Sequence, residues 1–435
     1  MVMIDTATIK IWGETVGAVL WLENEQVATF EYAPSFVKNG YQLAPLKMPL
    51  QEGTIYSFPE LRPRNINSEN TFNGLPGLLA DVLPDRYGNQ LINNWLAQQG
   101  RAENSMNPIE KLCFIGTRGM GALEFEPATN SNKGVFDIEV DGLVAIAAEM
   151  LNKRSKFEVN LNANELKAMK DILAIGTSAG GARAKAIIAY NEITGEVKSG
   201  QATAPNGFKH YLLKLDGVDD VQFGTTKGYG RIEMAYYKMA TDSGIDMMPS
   251  RLLEENGRAH FMTERFDREV DAVKHHIQTL CGIQHYDYNQ VGAYSYEQLF
   301  QTMRLLRLPY PQAEQIFRRM VFNVIARNCD DHTKNFAFRL KQGSEWEITP
   351  AYDMCYAYRP GSDWVSKHAL TVNGKRENIT IADLLTVAKS MNIKKPTQII
   401  KEINGVIQQW MVYAEKYGVE NALKKKIASN LIDLK

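Results

Sequence analysis

Between residues 8 and 32, apolar and polar positions alternate through Ile9–Ile11, Val16–Trp21 and Val27–Tyr32. Gly13 and Gly17 mark the first turn, and Asn24 and Glu25 the second. A period of two broken by turn residues predicts an antiparallel meander with one wet face. From Leu75 to Gly100 the period becomes helical, interrupted by LPDRYG at 83–88. A glycine-rich turn at Gly116–Gly121 leads into the strand-like run ALEFEP. Two more helices are predicted over Val140–Lys153 and Asn164–Leu173, the second capped by Asn162 or Asn164 and stopped by Gly176.

The next segment, GTSAGGARAKAIIAY, reads as a small-residue loop feeding a strand, and KHYLLKLDG as another strand. A helix over Arg231–Ser243 and the strand-like RAHFMTERFD follow. Beyond about residue 290 helical periodicity dominates, from Ser295 to Asn328, at 382–391, at 397–416 and at the C-terminus. Strand-like material there is confined to Phe336–Leu340 and Trp346–Ile348. The expected class is α+β, with a mixed α/β part at 1–288, itself divided into a β-rich 1–125 and a loop-bearing 126–288. A mainly helical part is expected at 289–435.

Composition narrows the functions open to such a chain. It has 435 residues, 44% of them hydrophobic and 23% charged, with a net charge of −1. Those values exclude a disordered chain and a stand-alone polyanion binder, whose domain would be strongly basic. Cys113, Cys281, Cys329 and Cys355 form no C-x-x-C pair, so neither a zinc finger nor a thioredoxin-like site is signalled. The N-terminus lacks a basic stretch followed by an apolar one, and no run approaches the ~20 apolar residues of a membrane helix. A soluble, cytoplasmic protein without membrane partners is expected.

The chemistry concentrates in ARNCDDHTKNFAF, where Asp330, Asp331, His332, Lys334 and Asn335 lie close together. Metal binding by His332 with the aspartates is one reading, but no second histidine stands at ligand spacing. Phosphoryl transfer is another: protein kinases use an Asp and an Asn five residues apart, one for the acceptor hydroxyl and one for magnesium. Asp330 and Asn335 reproduce that offset, and Asp331 is one residue out of register. Asp353, in TPAYDMCYA, stands where a kinase places its second metal-binding aspartate, although the tripeptide is Asp-Met-Cys. A capped polar loop with an unrelated aspartate downstream is the bland alternative.

The small-residue loop around Gly180 and Gly181 would cover ATP, although it is neither a Walker A motif nor G-x-G-x-x-G. Lys214 lies inside an apolar run, where a charged partner is expected, and Glu233 on the following helix is a candidate. Alone, Lys214 would read as a snorkelling edge-strand residue. His275 and His276 are adjacent and would face opposite sides of a strand, which argues against a shared metal. Lys424–Lys426 reads as a solvated helix face.

Seven motifs in order resemble the HipA family, the serine/threonine-kinase toxins of bacterial type II toxin–antitoxin systems. They are IKIWGETVGAVLWL, FNGLPGLLADVLPDRYGNQLI, TSAGGARAK, HYLLKLDG, TERFDR, NCDDHTKNF and PAYDM. The resemblance implies a protein-kinase-like two-lobed fold, with ATP and Mg2+ as cofactors. It makes Asp330 the catalytic aspartate, with His332 and Lys334 in the same loop, and Asn335 and Asp353 the magnesium ligands. It gives Lys214 to the ATP phosphates and the backbone of Glu264 and Phe266 to adenine. Ala179, Gly180, His332, Tyr352 and Asp353 would also meet the nucleotide. Ser178 matches the serine whose autophosphorylation switches the enzyme off.

The same resemblance implies a HipB-like helix-turn-helix antitoxin dimer as partner, operator DNA reached mainly through that complex, and a protein substrate such as glutamyl-tRNA synthetase. The reading AGGARAK departs from members with a glutamine–glutamate pair before the lysine. Two alternatives remain at this level: a small-molecule phosphotransferase of kinase-like fold, and a catalytically silent repressor subunit.

Overall fold

The computed structural model describes residues 4–38, 40–63, 70–129, 134–152, 163–177, 183–201, 204–218, 227–269 and 273–434. The alternating N-terminal segment folds as the expected meander: β1 (Thr6–Ile11), β2 (Glu14–Leu22) and β3 (Val27–Tyr32). The strand-like run ALEFEP supplies β5 (Glu124–Glu126), and a short strand the pattern did not announce, β4 (Ile55–Ser57), completes the order β4-β3-β2-β1-β5. Gly17 stands opposite Tyr32 across β2 and β3. A Cβ there would lie 2.1 Å from the Glu31 carbonyl oxygen, so the strands approach closely only because the residue is glycine.

The small-residue segment feeds a second antiparallel sheet. Its strands are β6 (Lys185–Asn191), β7 (Val197–Ser199), β8 (Phe208–Lys214), β9 (Ser250–Glu255) and β10 (Arg258–Glu264). The order is β7-β6-β8-β10-β9, which puts β8 at the centre. Three helices, Arg86–Gln98, Val140–Asn152 and Ala163–Gly176, supply Leu91, Leu143, Ile172 and Ile175 to a core shared with Ala186, Ile188, Leu213 and Met262 of the sheet. Each fully buried leucine, isoleucine or methionine among them is worth roughly 1.5–3 kcal/mol.

A third sheet runs β11-β12-β13, formed by β11 (His276–Thr279), β12 (Ala337–Leu340) and β13 (Trp346–Ile348). The last two match the two strand-like runs expected in the helical part. The helix Tyr310–Ala326 buries Ile316, Phe317, Met320, Val321 and Val324. Its predecessor, Tyr296–Leu305, opens on a capping box between Ser295 and Gln298. Arg307, at φ 59°, and Pro309 separate the two helices, so the periodicity over 295–328 is broken where one run was predicted.

The chain folds as two compact units. Unit 1 comprises 1–227, 251–277 and 341–343; unit 2 comprises 228–250, 278–340 and 344–435. The boundary expected at 288 therefore falls within unit 2, which also takes the helix Tyr229–Asp242. The α+β class is as expected, mixed in the first unit and mainly helical in the second. All four cysteines are free thiols, three of them buried. Among the described residues no helix is long and apolar enough to cross a membrane.

Candidate active site

The helix Tyr310–Ala326 ends on Arg327, a left-handed residue (φ 57°) whose N–H donates to the Asn323 carbonyl. The chain then enters the loop that holds Asp330, His332, Lys334 and Asn335. The helix end fixes where the loop begins, and a downstream segment of unit 2 fixes its course. The Ala357 N–H donates to the Arg327 carbonyl and the Cys329 N–H to the Ala357 carbonyl, both at 3.1 Å.

Asp330 and Asp331 separate completely in this setting. Asp331 is 1% exposed and accepts three hydrogen bonds, from the Tyr296 hydroxyl (2.8 Å), His368 Nδ1 (3.0 Å) and the Ala369 N–H (2.8 Å). Burial alone would push the His368 imidazolium down; the Asp331 carboxylate outweighs it and holds the ring up at about 10. The Tyr296 hydroxyl is likewise pushed far up by burial and by Asp331. Asp330, by contrast, keeps a side chain 49% exposed, with His332 Nε2 3.8 Å from its Oδ1. Of the two, Asp330 has the accessibility a base needs.

His332 Nδ1 accepts from the Lys334 N–H at 3.2 Å and so caps the short turn Thr333–Asn335. An accepting Nδ1 puts the neutral ring's proton on Nε2, the nitrogen nearer Asp330. The Asn335 side-chain amide donates to the Asp330 carbonyl at 2.6 Å, which leaves its oxygen, the atom type magnesium takes, as the remaining polar atom. Tyr352 and Asp353 meet the loop at two points. The Tyr352 hydroxyl donates to the Lys334 carbonyl (2.6 Å), and Asn328 Nδ2 donates to the Asp353 carbonyl (3.3 Å). Asp353 itself sits at φ 53°, a left-handed conformation that costs a non-glycine residue about 1 kcal/mol or more.

Tyr288 is a member of this cluster that the sequence did not single out. Its ring lies 5.3 Å from the His332 ring and 4.9 Å from Lys334 Nζ, the distance of a cation–π contact. Nearby, Thr333 Oγ1 donates to the Tyr286 carbonyl and Tyr286 stacks on Tyr294 at 4.4 Å. Nothing in the run HYDYNQVGAY carries a period or motif that would have marked Tyr288 in advance.

Lys214, Glu264 and Phe266 belong to unit 1. Lys214 ends the central strand β8, opposite Lys185 on one side and Phe261 on the other, with its Nζ 5.8 Å from the Phe261 ring centre. Glu264 ends β10 opposite Tyr211, and its carboxylate lies 3.3 Å from Lys209 Nζ. Glu233 is buried on the helix Tyr229–Asp242 of unit 2. Ser178, Ala179 and Gly180 lie outside the described residues.

TERFDR also carries a buried ion cluster that the sequence did not suggest. Asp267 is fully buried, gripped by Arg265 (2.8 and 2.7 Å), Arg268 (2.8 Å) and the Gly121 N–H (2.7 Å). Arg268 also donates to the Gly119 and Gly121 carbonyls. Despite its burial, the two guanidinium charges hold the Asp267 carboxyl far below the usual carboxylate range. His275 and His276 diverge as expected, Nε2 of the first contacting Glu269 and Nε2 of the second the Leu43 carbonyl.

Comparison with known proteins agrees with these motifs. The HipA-like C-terminal domain matches residues 177–411, more than half of the chain, and the HipA N-terminal domain matches 7–126. The chain belongs to the HipA family. Along 97% of its length it superposes on 94% of the HipA chain from the Shewanella oneidensis MR-1 complex of HipA, HipB and operator DNA, at a TM-score of 0.67 and 15% identity. It therefore has the kinase-like α+β fold of HipA. A Sinorhizobium fredii protein named "Putative kinase Y4mE" is 26% identical over 221 residues, 48% of this chain and 45% of that protein. A Haemophilus influenzae protein named "Putative kinase" is 27% identical over 134 residues, 28% of this chain and 39% of that one. The aligned stretches thus span less than half the length of these curated relatives.

Proposed function

We propose that this HipA-family chain is an ATP- and Mg2+-dependent serine/threonine protein kinase acting as the toxin of a type II toxin–antitoxin module. The observation that carries this reading is the grouping of Asp330, Asn335 and Asp353. Asp330 is half-exposed, its carbonyl takes the Asn335 amide, and the Asp353 backbone is tied to the same loop through Asn328. In this reading the Asp330 carboxylate orients the acceptor hydroxyl and takes up its proton. Lys334 neutralises charge on the transferring phosphoryl group, and Tyr288 sets where that cation lies. His332 also meets the nucleotide.

The donor set suits magnesium. Among the described residues no group of three or more His, Cys, Asp or Glu is placed to hold a metal ion. An Asn amide oxygen and an Asp carboxylate are the hard, incomplete set that magnesium shares with nucleotide phosphates. Bound there, the ion would neutralise charge developing on the phosphates. Lys214, with Glu233 as its expected partner, would meet those phosphates. Ala179, Gly180 and Tyr352 would line the nucleotide, and the Glu264 and Phe266 backbone would bind adenine.

Family membership further supports a HipB-like antitoxin dimer and operator DNA as partners, and the similar Shewanella structure is a complex of HipA, HipB and operator DNA. It also supports self-inactivation by phosphorylation of Ser178, a cytoplasmic location and a translation-related substrate such as glutamyl-tRNA synthetase. The deciding experiment incubates the protein with labelled ATP, magnesium and a cell lysate. Labelled protein bands are expected, and Asp330→Gln should abolish them. Label confined to small molecules would replace this reading with a small-molecule phosphotransferase. No transfer at all would leave a silent subunit.

A further inference from the structure

We propose that Asp331 and His368 are positioning residues for phosphoryl transfer, their buried ion pair holding the candidate base Asp330 and the metal-side Asp353 in one fixed arrangement. The inference rests on the kinase reading above and concerns residues that reading leaves without a role.

The first part of the argument is the grip on the loop backbone. Asp331 spends both carboxylate oxygens on His368, Ala369 and Tyr296. The Ala369 N–H also donates to the Cys329 carbonyl at 3.2 Å, and the Cys329 N–H donates to Ala357. Asp330 is therefore flanked on both sides by residues pinned to the 357–369 segment, while its own side chain stays open to solvent. An isolated carboxylate buried this deeply would be very costly, and the three donors together with a positive charge on His368 offset that cost.

The second part is a continuous path to Asp353. The Tyr296 hydroxyl donates to Asp331 and accepts from Asn323 Nδ2 (3.0 Å). Asn323 Oδ1 accepts from Asn328 Nδ2 (3.0 Å), and the same Asn328 amide donates to the Asp353 carbonyl. Tyr296, Asn323, Asn328, Asp331 and His368 are each at most 3% exposed. A chain of buried hydrogen bonds so closely packed transmits a displacement at one end to the other. Transfer requires base, phosphate and metal ligand to be in register, and a misplacement of about 1 Å can cost on the order of a hundredfold in rate. Asp331 and His368 touch neither ATP nor acceptor in this proposal; they act through the backbone they hold.

The test uses the full chain. Wild type, Asp331→Asn, His368→Gln, the double variant and Tyr296→Phe are compared for kcat of phosphoryl transfer, affinity for a fluorescent ATP analogue with magnesium, and melting temperature. The expected result is a kcat fall on the order of tenfold or more in each single variant, with nucleotide affinity within about threefold of wild type. The double variant should lose much less than the product of the two single losses, because the pair acts as a unit. Folded single variants with wild-type kcat, or a loss confined to nucleotide affinity, would overturn the inference. If the charged-pair variants do not fold, Tyr296→Phe decides alone, since it removes one hydroxyl and no charge. A drop in its kcat supports the path, and a wild-type kcat overturns it. A wild-type protein that transfers no phosphate overturns the kinase reading and this inference together, whereas an active wild type with indifferent variants overturns this inference alone.

Discussion

Asp330 and Asp331 are chemically identical neighbours with opposite surroundings, and that contrast makes separate predictions. Replacing Asp331 by Ala removes the partner of a buried charged histidine and should cost about 3–5 kcal/mol, read as a fall in urea midpoint. Asp330→Ala removes a half-exposed side chain and should change stability by no more than about 0.5 kcal/mol. In the labelled-ATP assay, however, it should lower transfer by about 10²–10⁴. Tyr288→Ala should weaken activity more than Tyr288→Phe, because the contacts to Lys334 and His332 are made by the ring. Equal losses in the two would refute that assignment. Spacing alone picked Asp330 over Asp331 by its distance to Asn335. The reason for the choice, His368, lies 37 residues downstream in a stretch without periodicity, so no local pattern could reveal it.

At the scale of elements, legibility followed length and period. The meander and the helices Arg86–Gln98 and Tyr229–Asp242 were visible because each carries several turns or alternations of one pattern. The helix Pro108–Ile115 escaped notice: it is almost wholly buried, so no polar face alternates with an apolar one. Its one sequence signal is Asn107 before a proline, and the Asn107 side chain does accept from the Glu110 N–H at 2.8 Å. Asn107→Ala should therefore cost about 1 kcal/mol in chemical denaturation. Strand β9 was missed because its place comes from a neighbour, β10, and not from a period of its own. Gly17 belongs to the visible meander, yet its need for glycine comes from the opposing backbone of β3. Gly17→Ala should push β2 and β3 apart and lower the melting temperature markedly, whereas the exposed Gly13 turn has open space at its Cβ position.

For the whole molecule, three buried histidines give stability a shape in pH. Burial pushes His210 and His276 down to about 4, with the Arg265 and Arg268 charges adding to the effect at His210. The unfolded chain takes up protons near pH 6.5 that the native protein refuses until about 4, so stability falls as pH drops through that window. The slope is about 1.4 kcal/mol per pH unit for each histidine. His368 behaves oppositely: its contribution is complete below pH 6.5 and is lost as pH rises towards about 10. Calorimetry should show a lower melting temperature at pH 5 than at pH 7, with a shallower fall in His276→Gln; a flat profile over that range would refute the assignment. The net charge of −1 conceals this local balance, as it conceals the lysines assigned to phosphate. The buried Asp267 carries a different lesson, about inheritance. Gly119 and Gly121 lie in the segment matched by the N-terminal family domain, and Asp267 and Arg268 in the one matched by the C-terminal domain. The N-terminal module covers the ion cluster of the C-terminal one with backbone groups, and the two share one hydrophobic core, so removing the N-terminal module uncovers those charges. A gene fragment starting at residue 177 should yield insoluble protein, and recombination between relatives should preserve these two stretches as a co-inherited pair.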